Sequence, residues 1–206
     1  MKQEININQK SSYYKEGNGT KLLYVLHGYG QLAKYFIRKF VPATDLGYTV
    51  VAPEGQHYFY LQGTSGRVGA SWMTKENREQ DIANYIAYLD TIHAELTAKK
   101  EWDEIVILGF SQGVATAFRW IAESNIKPST FLICSGLVPP DVNLNIKKAT
   151  FDPIKMTYFS GTRDPYRTEE AVQEFYNAVA SSKLDMDLVN FDGVHEVSVE
   201  DVFDRL

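Results

Sequence analysis

The sequence predicts a doubly wound α/β fold with a mostly parallel sheet and helices on both of its faces. Two observations carry this prediction. Short apolar segments rich in β-branched and aromatic residues recur along the chain, and segments with helical periodicity lie between them. The alternation continues almost to the last residue, with no low-complexity tract or linker to divide it. We therefore expect a single domain that spans residues 1–206.

Six apolar segments have the composition of β-strands. Several are continuously apolar rather than alternating, which is typical of strands that are covered on both faces. The six span residues 22–26, 48–52, 105–110, 131–134, 156–159 and 186–191. One of them contains Cys134, which is the single cysteine and cannot form an internal disulfide. We expect Cys134 to pack as a small apolar side chain.

The longest helical pattern covers residues 77–100. Within it Ile82, Ile86, Leu89 and Leu96 recur at three- and four-residue steps, which places them on one face of a helix that docks on the sheet. Because helices alternate with strands, right-handed crossovers and parallel strands follow, and ligands should bind at the carboxyl ends of those strands. The other predicted helices span residues 33–40, 114–123, 169–181 and 199–206.

The net charge and the N-terminal sequence restrict the partners and the cellular location that we expect. The chain has 21 Lys and Arg against 26 Asp and Glu, a net charge of −5, which argues against a general affinity for nucleic acid or acidic membranes. The first ten residues lack the apolar segment of a signal peptide, and no apolar run approaches the ~20 residues of a membrane span. We expect a cytoplasmic protein that acts on a small molecule, without stable membrane insertion.

The motif Gly109-Phe110-Ser111-Gln112-Gly113 is the strongest chemical signal. It directly follows a predicted strand and directly precedes a predicted helix. In that context G-x-S-x-G is a nucleophile elbow, a strained turn in which flanking glycines let the backbone pass neighbours that a Cβ would meet. The alternative is a glycine-rich turn whose serine caps the helix.

A nucleophilic serine needs a histidine base within hydrogen-bond reach. The chain has four histidines: His27, His57, His93 and His195. His93 lies on the apolar face of the long helix, where packing is expected, and His57 lies in an aromatic loop. His195 follows the last predicted strand at the ligand-binding end of the sheet, so we predict that His195 is the base.

The acid that orients the base should follow a strand between the serine and the histidine. Asp164 meets this condition, whereas Asp152, Asp185 and Asp187 lie at the opposite ends of strands. Asp192 is a competitor because it is close to His195 in the same loop. We predict that Asp164 is the acid, and the alternative for Asp164 is a structural role in a turn.

An oxyanion hole needs two backbone N–H donors. One is predicted at Gln112, the residue after the nucleophile at the start of the helix. The other is predicted at Tyr29, in the loop that follows the strand at 22–26. In the same loop His27 is expected to be a structural hydrogen-bonding residue rather than a base.

This loop also matches a rival pattern. Gly28-x-Gly30-x-x-Ala33 fits the dinucleotide-binding sequence G-x-G-x-x-G/A, and Glu54 follows the next strand where an acid could hold a ribose. An NAD-type oxidoreductase is therefore an alternative, although it leaves Ser111 and His195 unexplained. The sequence has no P-loop and no metal-ligand spacing, so we expect no cofactor and no metal.

Four motifs together resemble the phospholipase/carboxylesterase family of α/β-hydrolases, which includes the acyl-protein thioesterases. They are LHGYG at 26–30, GFSQG at 109–113, SGTRDP at 160–165 and GVHE at 193–196, and APEG at 52–55 and SWM at 71–73 extend the likeness. The resemblance implies an α/β-hydrolase fold and a serine hydrolase without metal that cleaves ester or thioester bonds through an acyl-enzyme. It assigns Ser111, His195 and Asp164 as the triad and Tyr29 and Gln112 as the oxyanion donors.

The chain also departs from this family pattern. Gln31 stands where thioesterase-type relatives usually have Asp, and residues 165–167 do not follow the common sequence. These departures bear on the substrate rather than on the chemistry. A ligand receptor without catalysis is a further alternative, because one fold serves many functions.

Residues 54–72 have no clear pattern and are long for a connection, which predicts a lid or a binding loop. Tyr58, Tyr60 and Trp72 are predicted to line an apolar substrate pocket, and the alternative is that these aromatics pack the loop onto the body. No large cap domain is inserted after the strand at 131–134, so we expect an open site for small or flexible esters. The sequence leaves open whether the chain forms a homodimer.

Overall fold

The computed structural model describes Gln3, Ile5 and residues 7–206. Its strands follow the predicted order, with three additions. They are β1 (Tyr13–Glu16), β2 (Lys21–Leu26), β3 (Tyr48–Pro53), β4 (His57–Gln62), β5 (Ser65–Ser71), β6 (Glu104–Phe110), β7 (Thr130–Cys134), β8 (Lys155–Gly161) and β9 (Met186–Phe191). All six predicted strands are present, each within two residues of the predicted bounds.

The helices also follow the prediction closely. They are α1 (Ala33–Phe36), a 3₁₀ helix (Ile37–Leu46), α2 (Arg78–Thr97), α3 (Gln112–Glu123), α4 (Lys148–Phe151), α5 (Glu169–Ser182) and α6 (Val199–Phe203). The helix predicted over 33–40 is one turn of α-helix that continues as the 3₁₀ helix, which contains Pro42. Among the described residues, no helix has the length and hydropathy that a membrane span requires.

Seven strands form one central sheet in the order β1-β3-β2-β6-β7-β8-β9. β1 runs antiparallel to β3, and every other neighbouring pair is parallel. The segment between β7 and β8 holds only the four-residue helix α4, so no large cap covers the sheet. The doubly wound fold predicted from the sequence is confirmed, and it is the α/β-hydrolase fold that the resemblance implies.

The two faces of β2 show how the sheet is covered. Leu22 and Tyr24 belong to an apolar cluster that includes side chains of α2 and α3. Leu23 and Val25 point to the other face, into a cluster with α1, the 3₁₀ helix and α6. Successive residues of a strand alternate between faces, so a strand buried on both faces is continuously apolar. This arrangement explains the pattern from which the sheet was predicted.

The expectation that residues 54–72 lack regular secondary structure is wrong. Most of this segment forms the antiparallel hairpin of β4 and β5, with Tyr58 opposite Ala70 and Gln62 opposite Ser65. Gly63 and Gly66 have φ values of +79° and +86° at the turn, a conformation that glycine adopts without steric cost. These two glycines therefore shape the turn of the hairpin.

Candidate active site

Ser111 lies between β6 and α3 in a strained conformation, with φ 53° and ψ −116°. Its N–H donates to the Cys134 carbonyl of the neighbouring strand β7, 3.0 Å between N and O. A Cβ on Gly113 would lie 2.1 Å from the Leu26 carbonyl oxygen, and one on Gly109 would lie 2.7 Å from the Gly113 carbonyl oxygen. Because neither contact can be relieved without moving backbone, both positions require glycine. The turn has the geometry of the predicted nucleophile elbow.

The structure brings Ser111, His195 and Asp164 into one hydrogen-bonded chain. His195 Nε2 lies 2.9 Å from Ser111 Oγ, and His195 Nδ1 lies 2.7 Å from Asp164 Oδ2. The Asp164 side chain is only 5% exposed, whereas that of the competitor Asp192 is 85% exposed and pairs with Arg163. The second oxygen of Asp164 accepts the Tyr166 N–H at 2.8 Å, which fixes the carboxylate plane. In the described structure Asp192 pairs with Arg163, and the acid bonded to His195 is Asp164.

Backbone contacts between neighbouring loops hold the acid and the base together. Thr162 N–H donates to Phe191 O and Arg163 N–H donates to Gly193 O, so the loop after β8 is joined to the loop after β9. On the other side Ser135, which has φ 49°, donates its hydroxyl to Glu196 O at 3.3 Å. The residue after the base is therefore tied to the carboxyl end of β7.

The backbone N–H groups of Tyr29 and Gln112 have no protein acceptor in the described part of the chain. The amides around Tyr29 are all engaged: Gly28 N–H donates to Gln31 Oε1, Gly30 N–H to Ala70 O, and Gln31 N–H to Gly28 O. Gln112 is the first residue of α3, where N–H groups point away from the helix. These two donors are available to an oxygen at Ser111.

The side chains of His27 and Glu54 are buried, and both accept hydrogen bonds from backbone N–H groups. His27 Nε2 accepts the Gly55 N–H at 3.0 Å and lies 3.3 Å from Glu54 Oε1, and that oxygen accepts the Ala33 N–H at 2.8 Å. Glu54 therefore caps α1 from beneath the loop and does not face a ribose site. This placement disfavours the dinucleotide alternative and gives His27 the structural position expected for it.

A cavity of about 440 Å³ contains Ser111 and His195. Its remaining walls are Tyr29, Ser135, Gly136, Leu137 and Tyr166. The Tyr166 ring meets the His195 ring edge-on, with centroids 4.7 Å apart. The sequence did not point to Ser135 or Leu137, and it marked Tyr166 only as part of the departure from the family pattern at 165–167. Their signal was positional, since each follows a strand at the same edge of the sheet as Ser111.

The structure does not bring Tyr58, Tyr60 or Trp72 to this cavity. Trp72 is completely buried, and its indole N–H donates to His27 O at 2.9 Å. Tyr58 and Tyr60 lie on the hairpin and are 59% and 50% exposed. For Trp72 the packing alternative describes the observed position.

The other two histidines are also outside the site. Tyr24 and His93 share a hydrogen bond of 3.0 Å, and burial lowers the pKa of His93. His57 is the first residue of the hairpin, and its Nε2 lies 3.2 Å from Oδ1 of Asp81 on α2.

The single cysteine is also outside the site. Burial raises the pKa of the Cys134 thiol well above its usual value, so this thiol is inert at neutral pH.

The chain is similar to known proteins both in sequence and in fold. A sequence model of the family described as Phospholipase/Carboxylesterase matches residues 11–205. The fold is similar to that of an uncharacterized protein from Bacillus cereus ATCC 10987, with TM-score 0.74 and 16% identity over 98% of this chain and 62% of that chain. It is also similar to esterase PE8, with TM-score 0.73 and 18% identity over 96% of this chain and 99% of that one.

A third similar structure is the Bacillus cereus carboxylesterase, with TM-score 0.70 and 15% identity over 96% of this chain and 92% of that chain. The chain thus spans less than two thirds of the first of these three proteins and nearly all of the other two. At such identities the likeness concerns the fold. A comparison with curated protein sequences gives no significant match.

Proposed function

The chain belongs to the phospholipase/carboxylesterase family and is a carboxylesterase-like hydrolase, and on that premise we propose that Ser111, His195 and Asp164 are its catalytic triad. The observation that carries the proposal is the pair of hydrogen bonds at 2.9 Å and 2.7 Å that links the three side chains. A serine hydroxyl is a weak nucleophile until such a base takes its proton.

The reaction follows from this geometry. Ser111 Oγ attacks the carbonyl carbon of the ester while its proton passes to His195 Nε2, and Asp164 stabilises the imidazolium through Nδ1–H. The carbonyl oxygen becomes an oxyanion that accepts hydrogen bonds from the N–H groups of Tyr29 and Gln112. Collapse of the tetrahedral intermediate breaks the ester bond, and the leaving alcohol takes the proton from Nε2.

The second half of the reaction releases the acid. Water gives a proton to His195 Nε2 as it attacks the acyl-enzyme, and a second tetrahedral intermediate forms on the same two N–H donors. When it collapses, Nε2 returns the proton to Ser111 Oγ and the carboxylic acid leaves. A thioester would follow the same steps with a thiol as the leaving group.

The surroundings of Ser111 favour small or flexible substrates. The walls Tyr29 and Tyr166 are exposed, and the segment after β7 contributes Leu137 but no lid. We therefore propose that esters with short acyl chains are preferred. A series of p-nitrophenyl esters of increasing chain length tests this, and a strong preference for long chains would contradict it.

The decisive experiment combines labelling and turnover. The intact protein is incubated with a fluorophosphonate and analysed by mass spectrometry, and hydrolysis of p-nitrophenyl acetate is measured for wild type, Ser111→Ala and the exposed control Ser181→Ala. We expect one adduct, on Ser111, and loss of turnover on the order of 10⁴-fold or more in Ser111→Ala alone. Near-normal turnover by folded Ser111→Ala would refute the mechanism.

A further inference from the structure

A second cavity, of about 690 Å³, lies between the hairpin and α1. Three cationic side chains line it: Lys34 and Lys39 from the helical segment and Arg67 from β5. The rest of its lining is apolar or neutral, with Tyr35, Leu61 and Val68 among the apolar walls and no carboxylate. We call it the basic cavity.

The cations of the basic cavity have no ion-pair partners among the described residues. Lys34 instead lies 4.8 Å from the Tyr35 ring centroid, and Arg38 lies 5.0 Å from the same ring. Elsewhere in this acidic protein the arginines at 78, 119, 163 and 205 each pair with a carboxylate. Like charges gathered in one concave surface repel one another and raise the local concentration of anions.

The basic cavity adjoins the active site at the loop of residues 27–32 between β2 and α1, which contains Tyr29 and which we call the oxyanion loop. Gly30 lines the basic cavity, and Tyr29 beside it lines the cavity of Ser111. The Tyr29 ring packs against Phe59 of the hairpin, with centroids 4.8 Å apart. An extended molecule can therefore place one end at Ser111 and the other beyond Tyr29.

The wall between the two cavities is well fixed. Gly30 N–H donates to Ala70 O at 2.8 Å, and Ala70 N–H donates to Gln31 O at 3.0 Å, which joins the oxyanion loop to β5. A Cβ on Gly69 would lie 2.4 Å from Gly30 O, so the two backbones are in close contact. A site held in place before binding loses less entropy when the ligand binds.

We propose that the basic cavity binds an anionic group of the ester substrate, a carboxylate or a phosphate separated from the scissile carbonyl by an apolar chain. The three cations supply the charge, and Tyr35, Leu61 and Val68 supply the contact for the chain. The inference rests on the proposed function of Ser111 and adds to it the class of substrate.

The test uses two esters that differ only in charge. One is mono-p-nitrophenyl adipate, which ends in a free carboxylate, and the other is the same chain ending in a carboxamide. We expect a higher kcat/KM for the carboxylate. The triple variant Lys34→Gln/Lys39→Gln/Arg67→Gln should lower that value about tenfold and leave the carboxamide within about twofold, since each exposed ion pair contributes modestly.

Three further measurements isolate the charge effect. The control Lys15→Gln/Lys127→Gln/Lys155→Gln removes the same charge from exposed positions outside the cavity and should leave both esters unchanged. In about 1 M NaCl, where the screening length is about 3 Å, the advantage of the carboxylate should largely disappear. Inorganic phosphate should inhibit hydrolysis of the carboxylate by wild type and not by the cavity variant.

The outcomes separate this inference from the function on which it rests. If wild type and the cavity variant both hydrolysed the two esters at equal rates while the fluorophosphonate still labelled Ser111, the anion site alone would be overturned. No turnover of either ester and no label on Ser111 would overturn both. If the cavity variant had the kinetics of wild type but no longer cosedimented with phosphatidylserine vesicles as wild type does, the cavity would be a membrane-docking surface, and the proposal would be overturned.

Discussion

Two regions border Ser111, and they are built in different ways. The catalytic edge consists of the loops that follow β6, β7, β8 and β9, and the first three of these strands end in buried residues. The hairpin of β4 and β5 is exposed along most of its length. Ser111 and Asp164 thus follow strands whose carboxyl ends are buried, whereas the hairpin beside the site is mostly exposed.

The attachments of the hairpin reinforce this contrast. At its base Trp72 donates to His27 O from the side chain, and the Gln112 side chain accepts the Trp72 N–H at 3.1 Å. Farther out, backbone hydrogen bonds at Ala70 join it to the oxyanion loop. The hairpin is thus a separate ribbon held at one end, so changes in it should alter substrate recognition and stability rather than the chemical step.

The largest expected effect tests the catalytic edge. Asp164→Asn should lower kcat/KM about 10³- to 10⁴-fold, because a neutral amide neither fixes the productive tautomer of His195 nor stabilises its cation. The melting temperature should change little, since the substitution preserves shape. Hydrolysis of p-nitrophenyl acetate measures the first effect and thermal unfolding the second.

Asp192→Asn is the matched control, with the same chemical change three residues from His195. Its side chain is exposed and pairs with Arg163, so activity should stay within about twofold of wild type. A loss for Asp192→Asn as large as that for Asp164→Asn would mean that the two acids have been assigned in the wrong order.

The next effect concerns the junction between the two regions. Gln112→Ala removes the side chain that accepts from Trp72 N–H and donates to Met73 O at 3.0 Å, while it keeps the backbone N–H proposed for the oxyanion. The free energy of unfolding should fall by about 2–3 kcal/mol, because polar groups at the base of the hairpin lose their partners. Urea unfolding measures this loss.

The rate of fluorophosphonate labelling should fall far less in Gln112→Ala than in Asp164→Asn. Gln80→Ala is the control, since Gln80 is exposed on α2 and its side chain donates a hydrogen bond to Asn84 on the same helix. If Gln112→Ala were as stable as wild type but as inactive as Asp164→Asn, the side chain would act in the reaction and the separation of the two regions would fail.

A smaller effect distinguishes the two regions by how their stability responds to low pH. Asp141, in the segment after β7, accepts two hydrogen bonds of 2.8 Å from the Arg119 guanidinium, which lowers its pKa from 3.8 to about 2. A lowered pKa means that the pair stabilises the fold fully above about pH 4 and loses this contribution as the pH falls towards 2. The attachments of the hairpin through Trp72 and Ala70 are neutral and should not respond in this range.

Asp141→Asn makes this dependence measurable. At pH 7 the variant should be less stable than wild type by about 1–2 kcal/mol, a value kept low because Asp141 is partly exposed. The difference in melting temperature between the two proteins should shrink as the pH falls from 4 to 2. A difference that stayed constant over this range would show that the ion pair does not stabilise the segment.

The same contrast explains which parts of the structure the sequence predicts. Buried parallel strands impose continuous apolar segments, so β2, β6 and β7 could be located, and with them the turn at Ser111. Asp164 and His195 followed because parallel strands bring their carboxyl ends to one edge. The residues of the catalytic edge were thus predicted by position as much as by type.

The hairpin could not be predicted in this way. Its strands are exposed, so no face imposes an alternating pattern, and its glycines are equally typical of a mobile loop. Gln112 and Ala70, which hold it, are distant from it in sequence or unremarkable in type. The basic cavity was hidden for the same reason, because Arg67 meets Lys34 and Lys39 only once the ribbon has folded back.

The smallest expected effect completes the comparison. Tyr58→Ser and Tyr60→Ser remove exposed hairpin side chains that do not line the cavity of Ser111, so kcat/KM for p-nitrophenyl butyrate should change less than about twofold. Leu137→Ser, in the wall of that cavity, should lower it by about tenfold, since it removes apolar contact worth more than 1 kcal/mol. Kinetics of the three variants rank the two surfaces directly. If the tyrosine variants lost as much activity as Leu137→Ser, the hairpin would have to close over the acyl chain during turnover.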